Sequence, residues 1–190
     1  MITGPSGVGK GTLIRTLLER IPELELAVSA TTRRPRPGEE DGVDYHFLDD
    51  AEFDRRIAAG DFVEHAAYSG RRYGTLRSEL ERRTGAGAPV VLEIEVQGAR
   101  QIRETMPEAV RIFIAPPSEE ALRNRLVGRG TDDPDQVEAR LRTAREELAA
   151  QGEFAHVVVN DRLDDAVEAL EEVVRASLGS KGRITRKEHP

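Results

Sequence analysis

The chain lacks cysteine and has few aromatic residues. With no Cys among its 190 residues, it can form neither a disulfide framework nor a thiolate metal site, which suits a reducing compartment. Aromatic residues make up only 4% of the chain, so a hydrophobic core must be built from Leu, Val, Ile and Ala. No apolar run approaches the roughly 20 residues that a membrane-spanning helix needs, and no secretory signal opens the chain. We therefore expect a cytoplasmic protein without a membrane partner.

An excess of positive charge is also missing. The 28 Lys and Arg residues are outnumbered by 35 Asp and Glu residues, and the net charge is −7 at neutral pH. This balance argues against a protein that binds nucleic acid through bulk positive charge. It does not argue against a nucleotide ligand, because a nucleotide needs only a local cluster of basic side chains.

Residues 4–12 have the composition of a phosphate-binding loop. Three of the six residues from Gly4 to Gly9 are glycine, which weakens both helices and strands. Such a loop directs backbone N–H groups at one ligand, and the following helix and Lys10 add positive charge. The spacing fits G-x-x-x-x-G-K-[ST], except that glycine stands at the last position and threonine follows. We predict that a polyphosphate binds here, and the alternative is a chance glycine-rich turn. The predicted ligands are Gly4, Pro5, Ser6, Gly7, Val8, Gly9, Lys10, Gly11 and Thr12.

Strand and helix patterns alternate along most of the chain, which predicts an α/β fold with a parallel sheet covered on both faces. Alternating or continuous apolar runs predict the strands, and apolar residues at helical spacing predict the helices. The predicted strands are 1–3, 24–28, 89–94, 110–114 and 157–159. The predicted helices are 10–20, 96–106, one from Ser118 to about 127, one from Pro134 with Asp133 as its cap, and 163–178.

Residues 29–84 interrupt this alternation. The segment 29–39 is hydroxylated, basic and rich in proline, and the prolines favour an extended backbone that puts Arg33 and Arg36 on one face. A solvated loop is the alternative. Short strands are predicted at 44–47, 62–68 and 71–74, together with a helix to residue 59 that begins with a capping box of Asp49 and Glu52. The segment therefore reads as a small α+β insertion.

Five blocks of sequence resemble the guanylate kinase family and follow one another in the family's order. They are 4–12; 29–45 with T-T-R-x-P-R-x-G-E and D-Y; 64–75 with Y-G-T; 92–99 with V-Q-G-A; and 125–140 with 159–161. The resemblance implies a P-loop, three-layer α/β/α fold and the Mg²⁺-dependent phosphorylation of GMP, and of dGMP, by ATP. It also implies a core over 1–28, 85–119 and 152–178, a GMP-binding insertion over 29–84, a helical lid over 120–151 and a mobile tail over 179–190.

Phosphate chemistry explains the basic residues in these blocks. ATP and GMP bring four phosphates into one cleft, and their repulsion must be offset by positive charge. The attacking phosphate oxygen of GMP has a second pKa of about 6, so no general base is required. The resemblance implies that the catalytic charges are Lys10, Arg36, Arg125, Arg129 and Arg140. It also implies that Arg33, Arg36, Tyr45 and Tyr73 hold the GMP phosphate, and that Asn160 contacts adenine.

Guanine recognition calls for a carboxylate. Guanine presents N1–H and a 2-amino group as donors beside its O6 acceptor, whereas adenine presents an acceptor at N1. Glu64 fits the acceptor role. Its own pattern favours the alternative of a solvated strand residue, and the F-V-E and Y-G-T context reverses that preference. Ser29 and Thr75 fit the donor role towards O6, and Glu95 is a second candidate acceptor.

Two positions depart from the family's pattern. Gly11 replaces the hydroxyl that binds magnesium, so Thr12 and Glu93 are the candidate metal ligands. The family usually has Asp at position 95 and often at 93, whereas both are Glu here. Two alternatives are open: a guanylate-kinase-like protein-interaction module without catalysis, and a P-loop kinase with another phosphate acceptor. The basic residues argue against the first, and Glu64, Tyr73 and Thr75 favour guanine over the second.

Overall fold

The structure, a computed structural model, describes residues 1–68, 70–128 and 134–184. These residues form two compact units. The first unit contains Met1 and Glu23–Ala109, and the second contains Ile2–Pro22 and the described residues from Val110 onward. The predicted division into core, insertion and lid uses other boundaries and stays a prediction.

The second unit is built on a parallel three-stranded sheet. Its strands are β1 (Ile2–Thr3), β8 (Ile112–Ala115) and β9 (His156–Val159), in the order β1-β8-β9. All four residues of β8 are buried, as the continuous apolar run predicts for a central parallel strand. The helices of this unit are α1 (Lys10–Arg20), α5 (Glu119–Val127), α6 (Pro134–Ala149) and α7 (Leu163–Ile184).

Helix boundaries in the second unit follow the local signals closely, with one exception. Helix α1 has the predicted bounds, and Ser118 caps α5 by accepting a hydrogen bond from the backbone N–H of Ala121 at 3.0 Å. Helix α6 begins at the predicted Pro134, while its predicted cap, Asp133, lies outside the described residues. The exception is α7, which continues to Ile184, so the residues at 179–184 that we assigned to a tail are helical.

The first unit combines a small parallel strand pair with a mixed four-stranded sheet. The pair is β2 (Glu25–Leu26) with β7 (Val90–Val91). The sheet has the order β4-β3-β6-β5, in which β3–β4 is parallel and the other two pairs are antiparallel. Its strands are β3 (Ser29–Thr31), β4 (His46–Phe47), β5 (Phe62–Tyr68) and β6 (Arg71–Leu76), and the helices of the unit are α2 (Asp50–Ala59), α3 (Arg77–Gly85) and α4 (Val96–Thr105).

Helix α2 covers a small core of its own, and its cap differs from the prediction. Phe53 and Phe62 stack with their ring centroids 4.5 Å apart. Asp49 accepts a hydrogen bond from the backbone N–H of Glu52 at 2.7 Å, as expected. The predicted capping box is nevertheless incomplete, because the Glu52 carboxylate pairs with Arg55 and Arg56 instead. Charged partners one turn away compete successfully with the single N–H of the cap.

Helix α3 was not predicted, because its sequence R-S-E-L-E-R-R-T-G has almost no apolar face. A buried carboxylate holds it to the segment that follows β2 instead. Glu79 is only 5% exposed and accepts from the backbone N–H of Val28 at 3.0 Å. It also accepts from Arg82 at 2.8 Å and from Arg83 at 2.5 Å, while Arg83 reaches Glu25 at 2.7 Å. Although burial alone would raise it, these hydrogen bonds lower the pKa of Glu79 to about 2.

We expect Glu79→Ala to lower the free energy of unfolding by about 3 kcal/mol, because it leaves the partly buried N–H of Val28 and the Nε–H of Arg83 without their acceptor. Since folding lowers the pKa of this carboxyl, its contribution is present above the ordinary value of 4.5 and is lost as the pH falls towards 2. Urea denaturation of both proteins at several pH values measures the difference. The control is Glu81→Ala on the exposed side of the same helix, which should change stability by less than about 0.5 kcal/mol. Equal stability of the two variants would contradict this role.

Candidate active site

The phosphate loop lies in the second unit, where residues 4–9 connect β1 to α1 and residues 10–12 begin the helix. Gly4 and Gly9 show most clearly why this loop needs glycine. Gly9 has φ of +97°, and a Cβ there would lie 2.7 Å from Asn160 Nδ2. A Cβ on Gly4, where φ is +151°, would lie 2.2 Å from the backbone oxygen of Ile114. The left-handed backbone and the close packing together exclude any side chain. The loop therefore depends on its glycines for its backbone conformation, and the binding of a phosphate there stays a prediction.

Two side chains from elsewhere in the second unit hold this loop in shape. Asn160 is 7% exposed, and its Nδ2 donates to the carbonyl oxygen of Val8 at 2.8 Å. Arg125 donates to the same oxygen at 3.2 Å and to the carbonyl oxygen of Asn160 at 2.7 Å. Both residues were predicted to contact the nucleotide directly. In this structure they brace the loop, so a contact with adenine or phosphate stays a prediction for each.

Four other predicted side chains of this region differ in their placement. Lys10 is only 9% exposed, and its Nζ donates to the carbonyl oxygen of Gly4, so its side chain lies along the loop backbone. Arg140 reaches the loop from α6 and donates to Ser6 Oγ at 2.7 Å. Thr12 is exposed on α1. Arg129 lies outside the described residues, so its predicted catalytic role has no structural account.

A pocket of about 220 Å³ lies within the first unit. Six predicted site residues line it: Ser29, Tyr45, Glu64, Tyr73, Glu93 and Glu95. Other residues in its wall were not predicted; these include Asp44, Tyr68 and Gly74. Asp44 lies beside Tyr45 in the D-Y block, and Gly74 lies within Y-G-T, so the blocks themselves carried a signal for both. The structure thus joins segments from three of the five blocks.

Glu64 is the most deeply buried carboxylate of this pocket. It is 3% exposed, and its Oε1 accepts a hydrogen bond from Thr75 Oγ1 at 2.8 Å. Burial is the main cause that raises the pKa of Glu64 to about 7, with Glu95 adding to the rise and Thr75 opposing it. Glu95 Oε2 is buried and has no hydrogen-bond partner among the residues that the structure describes. The pocket therefore offers two acceptors to a ligand that carries donors.

Thr75 occupies a different position from the one predicted. It is buried behind Glu64 at the paired position of the neighbouring strand and does not line the pocket. Its hydroxyl hydrogen is directed at Glu64. The side chain therefore orients the carboxylate, and the predicted donation to O6 of guanine remains for Ser29 in this state.

Arg33 is held beside the pocket by a carboxylate that we did not predict. Its Nη2 lies 2.7 Å from Glu39 Oε1, and its guanidinium lies 5.1 Å from the ring centroid of Tyr45. The pairing with Arg33 is the main cause that lowers the pKa of Glu39 to about 2. The other oxygen of Glu39 accepts from the backbone N–H of Arg36 at 2.7 Å, and the Arg36 side chain is exposed. Glu39 thereby orders the turn that carries both arginines.

The donors near these sites fit a magnesium ion that arrives with a nucleotide. In the described ranges, no group of three or more His, Cys, Asp or Glu side chains could hold a metal by itself. Thr12 and Glu93 are hard oxygen donors of the kind that Mg²⁺ accepts, and Mg²⁺ usually takes most of its ligands from phosphates and water.

Among the described residues, no helix has the length and apolar character needed to cross a membrane.

Comparison with known proteins assigns the chain to a family. The family model for guanylate kinase matches residues 1–177. The chain belongs to the guanylate kinase family. It is 51% identical to the guanylate kinase of Thermobifida fusca over 176 residues, which cover 93% of this chain and 90% of the relative. The guanylate kinase of a Synechococcus strain is 54% identical over 171 residues, covering 90% of this chain and 91% of the relative.

A solved structure agrees with this assignment. The crystal structure of guanylate kinase from Anaplasma phagocytophilum superposes with a TM-score of 0.75 at 35% identity, over 92% of this chain and 82% of that one. The predicted family and the predicted α/β fold of P-loop kinases are both confirmed. Since the similar curated proteins carry the name of a kinase, the alternative of a non-catalytic interaction module is not favoured.

Proposed function

We propose that this guanylate kinase family member transfers the γ-phosphoryl group of ATP directly to GMP, yielding ADP and GDP. The observation that carries the proposal is the pair of buried carboxylates in the pocket, Glu64 and Glu95. Burying two acceptors is costly unless a ligand supplies donors to them. Guanine supplies two adjacent donors, N1–H and the 2-amino group, and the phosphate loop accounts for the other substrate.

Guanine selection follows from the geometry of these acceptors. The Thr75 hydroxyl donates to Glu64 Oε1 at 2.8 Å and orients the carboxylate. The other lone pairs of the Glu64 carboxylate stay available to accept from the base. Glu95 Oε2 has no partner among the described residues and can take a second donor. Adenine would present its N1 acceptor to a carboxylate, and sites of this kind reject such analogues by about 10⁴-fold or more. Ser29, on the pocket wall, is the remaining candidate donor to O6.

The GMP phosphate is held by the arginine turn and the two tyrosines. Arginine forks give two donors in one plane, which matches a phosphate group. Burial is the main cause that raises the pKa of Tyr45, with Glu93 adding to it, so this phenol stays protonated and can donate. We assign the contacts to Arg33, Arg36, Tyr45 and Tyr73. The phosphate oxygen that attacks is already largely ionised near neutral pH, so the residues position it and remove no proton.

ATP binds with its phosphates on the backbone of the loop at residues 4–12. Lys10 supplies the fixed positive charge there, and Arg140, already bonded to Ser6 Oγ at 2.7 Å, supplies another. We assign catalytic roles to Arg36, Arg125 and Arg129 as well. Mg²⁺, when bound with ATP, neutralises charge on the transferring phosphates, and Thr12 and Glu93 are the side chains that would hold it. A cytoplasmic location stays a prediction.

One assay tests the whole assignment. Coupled measurement of ADP release with ATP and one acceptor at a time should give a high rate with GMP and a clear rate with dGMP. AMP and UMP should give rates at least about 10³-fold lower, because their bases lack the paired donors. A reaction without acceptor should be at least as slow, because no phosphate is present to receive the γ-phosphoryl group. Equal rates with GMP and AMP, or rapid ADP release without an acceptor, would overturn the proposal. Omitting Mg²⁺ from the GMP reaction tests the metal requirement in the same experiment.

A further inference from the structure

Helix α4 has a glycine in its first turn that the helix itself does not require. Gly98 is the third residue of α4, where glycine is a poor helix former. It is not among the glycines with positive φ, so the backbone does not demand it either. The reason must lie in what a side chain would meet. A Cβ at this position would lie 2.0 Å from Glu64 Oε2 and 2.8 Å from Glu64 Cδ.

The carboxylate of Glu64 is confined on two sides. Thr75 Oγ1 donates to Oε1 at 2.8 Å on one side, and Gly98 adjoins Oε2 on the other. The side chain is 3% exposed, and its remaining open side is the pocket that it lines. A carboxylate is the far end of a flexible side chain and can rotate away from an added methyl group. Such a methyl group would therefore move the carboxylate before it disrupted the fold.

Helix α4 cannot retreat in place of the carboxylate, because two glutamines clamp it to the edge of strand β5. Gln101 Oε1 accepts from the backbone N–H of His65 at 3.1 Å, and its Nε2 donates to the carbonyl oxygen of His65 at 2.6 Å. Gln97 Oε1 accepts from the backbone N–H of Ala67 at 3.3 Å. The amides thus take the place of a neighbouring strand on this edge. They fix the distance between α4 and the part of β5 that directly follows Glu64.

We propose that Gly98 is a specificity-determining residue of the enzyme, because it reserves the space in which the Glu64 carboxylate meets guanine, while Gln97 and Gln101 hold α4 against β5. The inference rests on the proposed function, since it takes Glu64 as the acceptor for the base. It also accounts for the V-Q-G-A block as a unit. Val96 and Ala99 are buried, Gln97 binds the strand edge, and Gly98 leaves room for the carboxylate.

The first test compares Gly98→Ala with a matched control. Gly179 also lies inside a helix, in α7, and a Cβ there would meet nothing within 4 Å, so Gly179→Ala is the control. We expect Gly98→Ala to lower kcat/KM for GMP by about 10²-fold, mostly through KM, with KM for ATP unchanged. Preference for GMP over inosine monophosphate, which lacks the 2-amino donor, should fall at least tenfold. Gly179→Ala should stay within twofold of the parent throughout. An unchanged preference in Gly98→Ala would overturn the proposal.

The second test asks whether the effect passes through Glu64. Glu64→Asp withdraws the carboxylate by one carbon–carbon bond, roughly 1.5 Å, which relieves the contact with a methyl group at position 98. In the Glu64→Asp background, Gly98→Ala should therefore cost at least tenfold less in kcat/KM for GMP. If Gly98→Ala alone does not fold, the double variant should fold. Additive losses, or a double variant that also fails to fold, would overturn the proposal.

The contact can also be measured without any substrate. Coupling between the two substitutions should appear in urea denaturation, as a smaller loss of stability from Gly98→Ala when residue 64 is Asp. This separates the two hypotheses. If the parent protein does not phosphorylate GMP, the proposed function fails, and with it the specificity role, whatever the denaturation shows. If the parent does phosphorylate GMP but no coupling appears, Gly98 does not act through Glu64 and only the inference fails.

Discussion

Glu64→Gln should make the protein more stable at pH 8 while lowering kcat/KM for GMP by about 10³-fold or more. The loss of activity follows from hydrogen bonding. A carboxylate accepts from both N1–H and the 2-amino group of guanine, whereas an amide turns one of its two groups into a donor that faces another donor. The gain in stability follows from burial, because glutamine fills nearly the same space without a charge in a site that is 3% exposed.

The pH dependence of stability explains why Glu64→Gln should be more stable than the parent, and not less. Folding raises the pKa of the Glu64 carboxyl from 4.5 to about 7. Between these values the folded state binds more protons than the unfolded state, so stability falls as the pH rises through this window and is constant above it. The shift corresponds to about 3 kcal/mol at most. In Glu64→Gln this decline should be absent, so the two proteins should differ most above pH 7.

Urea denaturation at pH 5 and pH 8, with steady-state kinetics on the same preparations, measures both effects. Glu168→Gln on the exposed side of α7 is the control for removing one acidic charge, and it should leave the pH profile and the kinetics unchanged. Two results would contradict the role of Glu64. One is a stability profile that Glu64→Gln leaves unaltered, and the other is GMP efficiency within tenfold of the parent.

Lys10→Ala should lower kcat by about 10³-fold with a much smaller change in KM for GMP. The lysine carries the fixed charge at the loop that we assign to the ATP phosphates, and its interaction grows as negative charge develops on the migrating phosphoryl group. The shape of the loop should survive the change. Asn160 and Arg125 both donate to the carbonyl oxygen of Val8, at 2.8 and 3.2 Å, and neither bond involves Lys10.

The expected loss of stability in Lys10→Ala is small. The substitution removes one donor from the carbonyl oxygen of Gly4, which costs about 1 kcal/mol. Far-UV circular dichroism and a denaturation curve verify that the variant is folded before its kinetics are interpreted. Arg15→Ala is the control, because Arg15 is an exposed cation on the same helix. A folded Lys10→Ala protein with parental kcat would exclude the lysine from catalysis.

Sequence signals predicted the bounds of an element correctly where its conformation depends mainly on its own residues. The bounds of α1 followed from the glycine-rich loop before it and the proline after it, and β5 was predicted over its observed residues. The same reasoning missed α3, whose helix depends on the contact of Glu79 with Val28, just after β2, rather than on an apolar face. It also ended α7 too early, because glycine and charged residues weaken a helix without forbidding it.

The amino-acid sequence by itself determined the family, the α/β class, the phosphate loop and six of the residues that line the pocket. It could do so because glycine spacing, capping residues and family-like blocks are properties of short segments. Only the tertiary structure decided what several of these residues do. Thr75 orients Glu64, Asn160 and Arg125 brace the loop, Glu39 orders the arginine turn, and Gly98 reserves space for a carboxylate. Each of these roles depends on which side chain from another segment lies within 2 to 3 Å, and that proximity exists only after the chain has folded.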